Sequence, residues 1–216
     1  MGTILASAII AAARVTLLDP SPGTTWTDPM LLTMLNQAQR NACALRGELN
    51  TVHAAIPMVA GTLQTLPAGG TVLIRLDENA VGKRRCRLVD AALLDAALLT
   101  WPAATAAKEV AEYATDPRSP KRFHVTPPND GTGSVVALYC AVPAPLATVA
   151  SAIVLEDTHE LALQHFVIGE AYAANTKRQD LTKATFYRQS FEKQLGISAQ
   201  STVAVGAKYG ATPGAA

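Results

Sequence analysis

Large rings are scarce in this chain. Phe, Trp and Tyr make up 5% of its 216 residues, although 49% are hydrophobic. Such a core is filled by aliphatic side chains and Ala, which suits closely spaced helices, and it leaves stability to be gained from neighbouring subunits. An excess of one charge is missing too: 18 Lys and Arg stand against 17 Asp and Glu, for a formal net charge of +1. That excludes a general electrostatic footprint for nucleic acid or an anionic membrane, so any DNA contact has to be local or indirect. A membrane-length apolar run is also lacking. The nearest approach, Thr3 to Ala13, falls short of the roughly 18 residues a bilayer requires. It has no Lys or Arg ahead of it and meets Arg14 within one turn, so an amphipathic core helix is expected rather than a signal peptide. Gly2 fails the myristoylation pattern, which needs Ser or Thr where Ala6 stands.

Cysteine chemistry is equally thin. Cys43, Cys86 and Cys140 are odd in number and far apart, with no Cys-x-x-Cys pair, and a reducing cytoplasm is their simplest setting. Cys43 and Cys140 lie in apolar runs and are expected to act as small buried hydrophobes. His159-Glu160 starts like a zinc-hydrolase helix, but Leu163 occupies the place of the second His. His165 sits about 240° further round the helix, so the two rings diverge. His53 and His124 fall on expected strands without nearby carboxylates or cysteines and are read as polar packing residues. No Gly-x-Ser-x-Gly and no Cys with a recognisable His partner is present. The Gly-rich stretches at Gly69-Gly70 and Gly131-Thr132-Gly133 lack the Lys-Ser/Thr continuation of a phosphate cradle and read as turns. Glu156, Asp157 and Glu160 sit where a helix start already explains them. Neither an enzyme nor a cofactor or metal site is expected.

What the chain does contain is pattern. A helix from about Thr3 to Leu18 is followed by a Pro/Gly loop and a second helix opened by Trp26-Thr27-Asp28-Pro29. Asp28 suits the N-cap and Pro29 the first turn. Leu31, Leu35, Ala38, Ala42 and Leu45 then recur at helical spacing. From Thr51 the period becomes strand-like, with Val52 to Ala60 and Val72 to Leu76 as strands. Short helices are expected at Asp90 to Leu99, ended by Trp101-Pro102, and near Ala107 to Ala114. Phe123 to Pro127 and Ser134 to Val142 read as a hairpin across Pro128 to Gly133. A strand at Ala152 to Leu155 leads into a helix to about Ala174 that is apolar almost all round, through Leu161, Leu163, Phe166, Val167, Ile168 and Tyr172. Asn175 interrupts it. A last helix aligns Leu181, Ala184, Phe191 and Leu195 and stops at Gly196.

The expected fold is therefore α+β: an antiparallel helical bundle of N- and C-terminal helices with an inserted antiparallel β domain. The divisions expected are 1–50 (helical hairpin), 51–155 (β-rich insertion with short helices), 156–196 (bundle helices) and 197–216 (extended arm). The arm is too rich in Ala, Gly, Ser and Thr to bury a core of its own. Its alternating Thr202, Val203, Ala204 and Val205, with Tyr209 as an anchor, suit a strand added to a partner. Arg188 falls inside an apolar stripe and is expected to reach a carboxylate at the bundle rim or on a neighbouring subunit. Lys83-Arg84-Arg85-Cys86-Arg87 is the sharpest charge cluster. Arg84, Arg85 and Arg87 are partner-binding candidates, but on a strand at most half of such side chains share a face. A charged edge strand is the simpler reading; a DNA-binding module built on the Lys83 to Arg87 strand is the alternative function, and an unrecognised hydrolase a more distant one.

Several stretches, in order, resemble the head-to-tail adaptor (connector) proteins of short-tailed bacteriophages. They are Leu17-Leu18-Asp19, Trp26-Thr27-Asp28, Asn36 to Arg40, Gly61 to Pro67, Trp101-Pro102, Asp116-Pro117 to Pro127, Tyr139 to Pro143, Glu156 to Tyr172 and Phe191 to Gly196. The resemblance implies a structural virion protein that assembles, typically as twelve copies, into a ring between the portal protein and the tail tube or nozzle. Double-stranded genomic DNA would then pass through the lumen without sequence-specific binding. The implied location is the virion neck, after assembly in the host cytoplasm and without a membrane. Near-neutral charge fits a channel through which DNA slides, because many phosphate contacts would grip it.

Overall fold

The computed structural model describes residues 2–97, 101–174 and 176–197. Among them run five α-helices, α1 (Ala6–Leu17), α2 (Asp28–Leu45), α3 (Ala91–Ala97), α4 (Glu160–Ala173) and α5 (Leu181–Gln194). Seven strands lie between α2 and α4: β1 (Thr51–Pro57), β2 (Gly61–Thr65), β3 (Gly70–Asn79), β4 (Arg87–Leu88), β5 (Glu112–Thr115), β6 (Arg122–Asn129) and β7 (Ser134–Ala141). The fold is α+β, with N- and C-terminal helices packed together and two small sheets inserted between them in sequence. The chain forms two compact units, a helical one from both chain ends, up to Leu49 and from Pro143, and a β unit, Asn50–Val142.

In the helical unit α4 packs against α1, α2 and α5. Leu163, Phe166, Val167, Ile168 and Ala171 are accordingly buried on several sides, as a helix without a polar face requires. Ala6, Ile9, Ile10, Ala13 and Leu17 of α1 and Leu31, Leu35, Ala38 and Ala42 of α2 complete this core, with Phe191 and Leu195. Three expected core residues are exposed instead: Leu45, Leu161 and Leu181 each sit at or near a helix end where the stripe has turned off its partner. Gly196, at φ +72°, follows α5 as expected. Asn175 and the last two residues of the expected Asp90 to Leu99 helix lie outside the described residues.

The α1–α2 connection is organised by one carboxylate. Asp19 accepts hydrogen bonds from the backbone N–H groups of Thr24 (2.9 Å), Thr25 (3.2 Å) and Trp26 (3.0 Å) and from the Thr24 hydroxyl (3.0 Å). Buried Arg14 lies beside it, donating Nη1–H to the Asp19 carbonyl at 3.1 Å and Nη2–H to Asp28 at 2.6 Å. The α2 N-cap is Thr27, without a side-chain cap bond, and Asp28 is the first helical residue. Asp28 thus serves the buried guanidinium rather than the helix end, because an unpaired charge there is the costlier vacancy. Trp26, fully buried, donates its indole N–H to the Ala171 carbonyl at 3.2 Å and so ties the loop to α4.

The β unit consists of a β1–β7–β3 sheet and a β2–β6–β5–β4 sheet. β1 pairs with β7 from Thr51↔Cys140 to Pro57↔Ser134, and β2 with β6 from Gly61↔Asn129 to Thr65↔Arg122. One long antiparallel ribbon therefore bends at a corner and supplies a strand pair to each sheet. The expected hairpin between the Phe123 stretch and Ser134 to Val142 does not form. Pro127 and Pro128 offer no N–H, and Asn129 uses the connection for a corner: its Oδ1 accepts from Gly131 N (2.9 Å) and Gly133 N (3.3 Å), while Nδ2 donates to the Lys108 carbonyl (2.9 Å). A Cβ at Gly133 would collide with that carbonyl and with the Asn129 amide, so only glycine fits. On the other arm Gln64 accepts from Val59 N (2.8 Å) and donates to the carbonyls of Val59 (2.7 Å) and Gly61 (3.0 Å).

Two further expectations are corrected. The stretch near Ala107 to Ala114 is not helical; Glu112–Thr115 forms β5, and its Tyr113 and Ala114 are buried. Tertiary burial outweighs the weak helix propensity of so short a segment. Ala152 to Leu155 contributes a single bridge, Leu5↔Ala152, rather than a strand. The pairing of β4 with β5 is parallel, so the second sheet is mixed.

Asp19→Ala would leave Arg14 without its neighbouring carboxylate and orphan three N–H groups, and is expected to cost about 3–5 kcal/mol in urea unfolding. The native hydrogen bonds hold the Asp19 carboxyl well below the usual carboxylate range. Its contribution is complete above the unfolded-state value and is lost as pH falls towards the lower native one. Stability of Asp19→Asn should therefore decline less steeply than that of the native protein below about pH 4; parallel acid limbs would contradict this.

Candidate functional site

The groups that carry chemistry in other proteins are occupied structurally. His165 lies 3.2 Å from the Gln194 amide and edge-on to Tyr187, with ring centroids 5.4 Å apart, and burial lowers its pKa. His124 packs edge-on to Trp101 at 5.9 Å. His53, expected to lack a carboxylate neighbour, has its Nε2 2.8 Å from Asp77, which β3 brings across from 24 residues away. Among the described residues no group of three or more His, Cys, Asp and Glu is placed to hold a metal. Cys86 is half-buried beside Asn79, and desolvation pushes its thiol up to about 11. It is a packing residue with little thiolate at neutral pH.

The motifs that stood out in the sequence prove to be backbone clamps. Asn36 donates to the Leu146 carbonyl (3.1 Å) and accepts from the Leu146 N–H (2.7 Å), and Gln39 accepts from Val154 N (2.7 Å). Together they fasten the segment that returns from the β unit onto α2. Asp157 opens the short 3-10 turn that leads into α4, as expected of a residue at a helix start, and also holds the N-terminal segment through Thr3 N (2.7 Å), the Thr3 hydroxyl (2.6 Å) and Ile4 N (3.1 Å). Arg178 was not singled out in the sequence. It donates Nη1–H to the carbonyls of Leu17 and Leu18, both at 3.1 Å, where α1 ends. Its only sequence signal is a cation in the loop before α5.

The remaining candidates are surfaces. A groove of about 400 Å³ on the helical unit is lined by Gln37, Asn41, Leu45, Phe166, Glu170 and Arg188. Arg188 pairs there with Glu170, Nε to Oε1 at 3.0 Å, so it reaches a carboxylate at the bundle rim as expected. On the helical unit the most exposed large apolar side chains are Val15 (75% exposed) and Leu18 (78%) on and after α1, and Leu181 (64%) and Phe186 (61%) on α5. Leu18 has the left-handed φ of +53°, which a branched side chain adopts only at some cost.

The Lys83 to Arg87 cluster is not a continuous strand. Lys83 has φ +56° in a turn, Arg85 makes one bridge to Glu78, and only Arg87 belongs to β4. Asn79 causes this by taking the Arg84 carbonyl with its backbone N–H (2.8 Å) and its side chain (3.0 Å), which closes the chain into a turn. Lys83 pairs with Glu78 at 3.2 Å and Arg87 with Glu112, whereas Arg84 and Arg85 make no ion pair among the described residues. Thr202, Val203, Ala204, Val205 and Tyr209 lie outside the described residues.

The model of the SU10 adaptor protein family matches residues 5–212, which takes in both units. The chain belongs to that family. It is a family of phage head-to-tail adaptors, and membership implies a structural, non-enzymatic role in the virion in association with other virion components. Among curated proteins, no match to the adaptor was found. No helix among its described residues is long and apolar enough to cross a membrane.

Site-resolved alkylation tests the Cys86 environment. At pH 8 iodoacetamide should modify Cys86 about 100-fold more slowly than an unhindered thiol; a rate matching the small-molecule thiol would refute its desolvation.

Proposed function

We propose that the protein forms a closed ring, of about twelve copies, between the portal protein and the tail tube or nozzle, and that double-stranded DNA passes through its lumen without sequence-specific binding. The family match across residues 5–212 carries this reading. A closed ring is built from heterologous contacts, so each copy must present two different patches that fit each other. Val15 with Leu18, and Leu181 with Phe186, supply two such patches on the helical unit. Their exposure lacks a structural use within one chain and gains one between copies. The balanced charge, +1 overall, supports passage of DNA without retention. Arg84 and Arg85, which make no ion pair among the described residues, suit the acidic rim of a partner in the neck, and the segment carrying Thr202 to Val205 and Tyr209 suits an arm that orders on the portal or an adjacent copy.

Electron microscopy of purified protein with and without portal particles tests the ring directly; particles in which the protein is missing from the neck would end this reading. Leu18→Asp and Phe186→Asp change side chains that already face water and should leave the unfolding free energy of the single chain within about 0.5 kcal/mol. Each is expected to reduce ring formation at least tenfold by mass photometry, and undiminished rings would exclude these patches from the contact. Deletion after Gly196 should abolish capture by the portal, and retained capture would remove the arm from the proposal.

A further inference from the structure

The connection between β5 and β6, with the first residue of β6, carries Arg118, Lys121 and Arg122 within five positions, all three exposed. None makes an ion pair or a side-chain hydrogen bond among the described residues, whereas Lys83 and Arg87 of the other basic cluster are neutralised by Glu78 and Glu112. The loop is nevertheless fixed. Its acidic member, Asp116, is engaged in holding the turn: Oδ1 accepts from Arg118 N at 2.9 Å and the carbonyl accepts from Ser119 N at 2.9 Å. Arg122 N donates to the Ser119 carbonyl at 2.8 Å. The carbonyls of Pro120 and Lys121 take the N–H groups of Leu73 and Leu66, both at 3.0 Å, which moors the loop to the beginning of β3 and the end of β2. Pro117 and Pro120 remove further backbone freedom.

We propose that this loop is a contact for the phosphate backbone of double-stranded DNA. Three cations held on a moored frame lose little backbone entropy on binding, so their attraction to a polyanion is not spent on ordering the loop. A protein partner is the poorer fit. Stable protein interfaces are anchored by buried aromatic or aliphatic side chains, and residues 116–122 expose no large apolar side chain. Phosphates need no such anchor, and three cations on each copy give an attraction that is salt-labile and independent of base sequence. This goes beyond the ring reading and has its own readout, since the loop's charge can be removed without touching α1 or α5.

The test is fluorescence anisotropy of the full chain with a labelled 30-base-pair duplex of mixed sequence, from 50 to 200 mM salt. Three phosphate contacts per protomer give a log–log slope of about −2.7, a loss of affinity of about 40-fold over that range. Because the loop's bonds are made by backbone atoms and Asp116, the triple variant R118A/K121A/R122A should keep its fold while losing at least tenfold in affinity and most of the slope. Lys121→Glu, a single reversal, should weaken binding on its own and keeps the test decisive if the triple variant is unstable. The variant R84A/R85A measures the competing basic turn, and Lys83→Ala, whose cation Glu78 already neutralises, should bind as the native chain does. The proposal is overturned if the native chain shows no salt-dependent binding, if the loop variants bind unchanged, or if the loss follows R84A/R85A or requires an acidic protein in place of DNA.

Discussion

Every bend of a buried backbone leaves N–H and C=O groups that a helix or ladder would otherwise pair, and this fold is governed by how those groups are satisfied. Asp19, Gln39, Gln64, Asn79 and Asn129 are all buried, and each addresses backbone atoms at a turn or crossing. A single such bond contributes only about 1 kcal/mol net, but a buried group left unpaired costs about 1–3 kcal/mol, so the penalty decides more than the gain. Asn79 illustrates the leverage. Its amide takes the Arg84 and Val110 carbonyls and accepts the Val110 N–H, and so joins the end of β3, the basic turn and the approach to β5 through one side chain. Asn129 and Gln64 do the same for the two arms of the bent ribbon. Two small sheets with short strands are held in place by polar clamps as well as by the Ile56, Tyr113, Phe123 and Val135 core.

Local pattern was sufficient for the helices. The 3.6-residue recurrence of Leu31, Leu35, Ala38 and Ala42 and the near-uniform apolarity of α4 were legible because each helix buries its stripe against neighbours, independent of chain connectivity. The motifs Asn36 to Arg40 and Gly61 to Pro67 were also visible, yet the work of their amides was not. Asn36 meets Leu146 across 110 residues and Gln39 meets Val154 across 115, and no periodicity reports a partner at that distance. The hairpin error has the same origin. Phe123 to Pro127 and Ser134 to Val142 have strand character and a turn between them, but whether two strands pair depends on the third element that competes for their ladders. Here β1 and β2, consecutive in the chain and only three residues apart, take β7 and β6 respectively. The basic loop at Arg118 to Arg122 escaped notice because its charges are separated by prolines and matched by no contiguous run, while the more compact Lys83 to Arg87 run was conspicuous and turned out half neutralised.

A division of labour follows. Interior polar groups are nearly all committed to backbone, while several large apolar side chains remain on the outside of the helical unit. The converse arrangement, apolar groups gathered inside and amides outside, would save the desolvation of those amides but would leave the corners of the ribbon without partners. The scarcity of aromatic residues makes that exchange expensive, since aliphatic and Ala-based packing buries less area for each position. The proposed contacts between copies would recover apolar burial that the single chain forgoes, at roughly 25 cal/mol per Å² removed from water.

Leu18 shows how the interior arrangement reaches the surface. Its left-handed φ belongs to the α1 C-cap, where its N–H reaches the Val15 carbonyl and Arg178 covers the Leu17 and Leu18 carbonyls. Glycine would adopt this geometry without strain, so a leucine there pays with no compensation from within the chain: its side chain is 78% exposed. Arg178 also lies over the Trp26 ring, 5.8 Å from its centroid, and Trp26 is held by Asp19 and by Ala171. The backbone of this exposed leucine is thus tied back, through a cation and an indole, to the carboxylate that organises the α1–α2 loop. An apolar side chain kept in solvent on a backbone fixed in a conformation that leucine disfavours has the physical character that the proposed contact with another molecule requires.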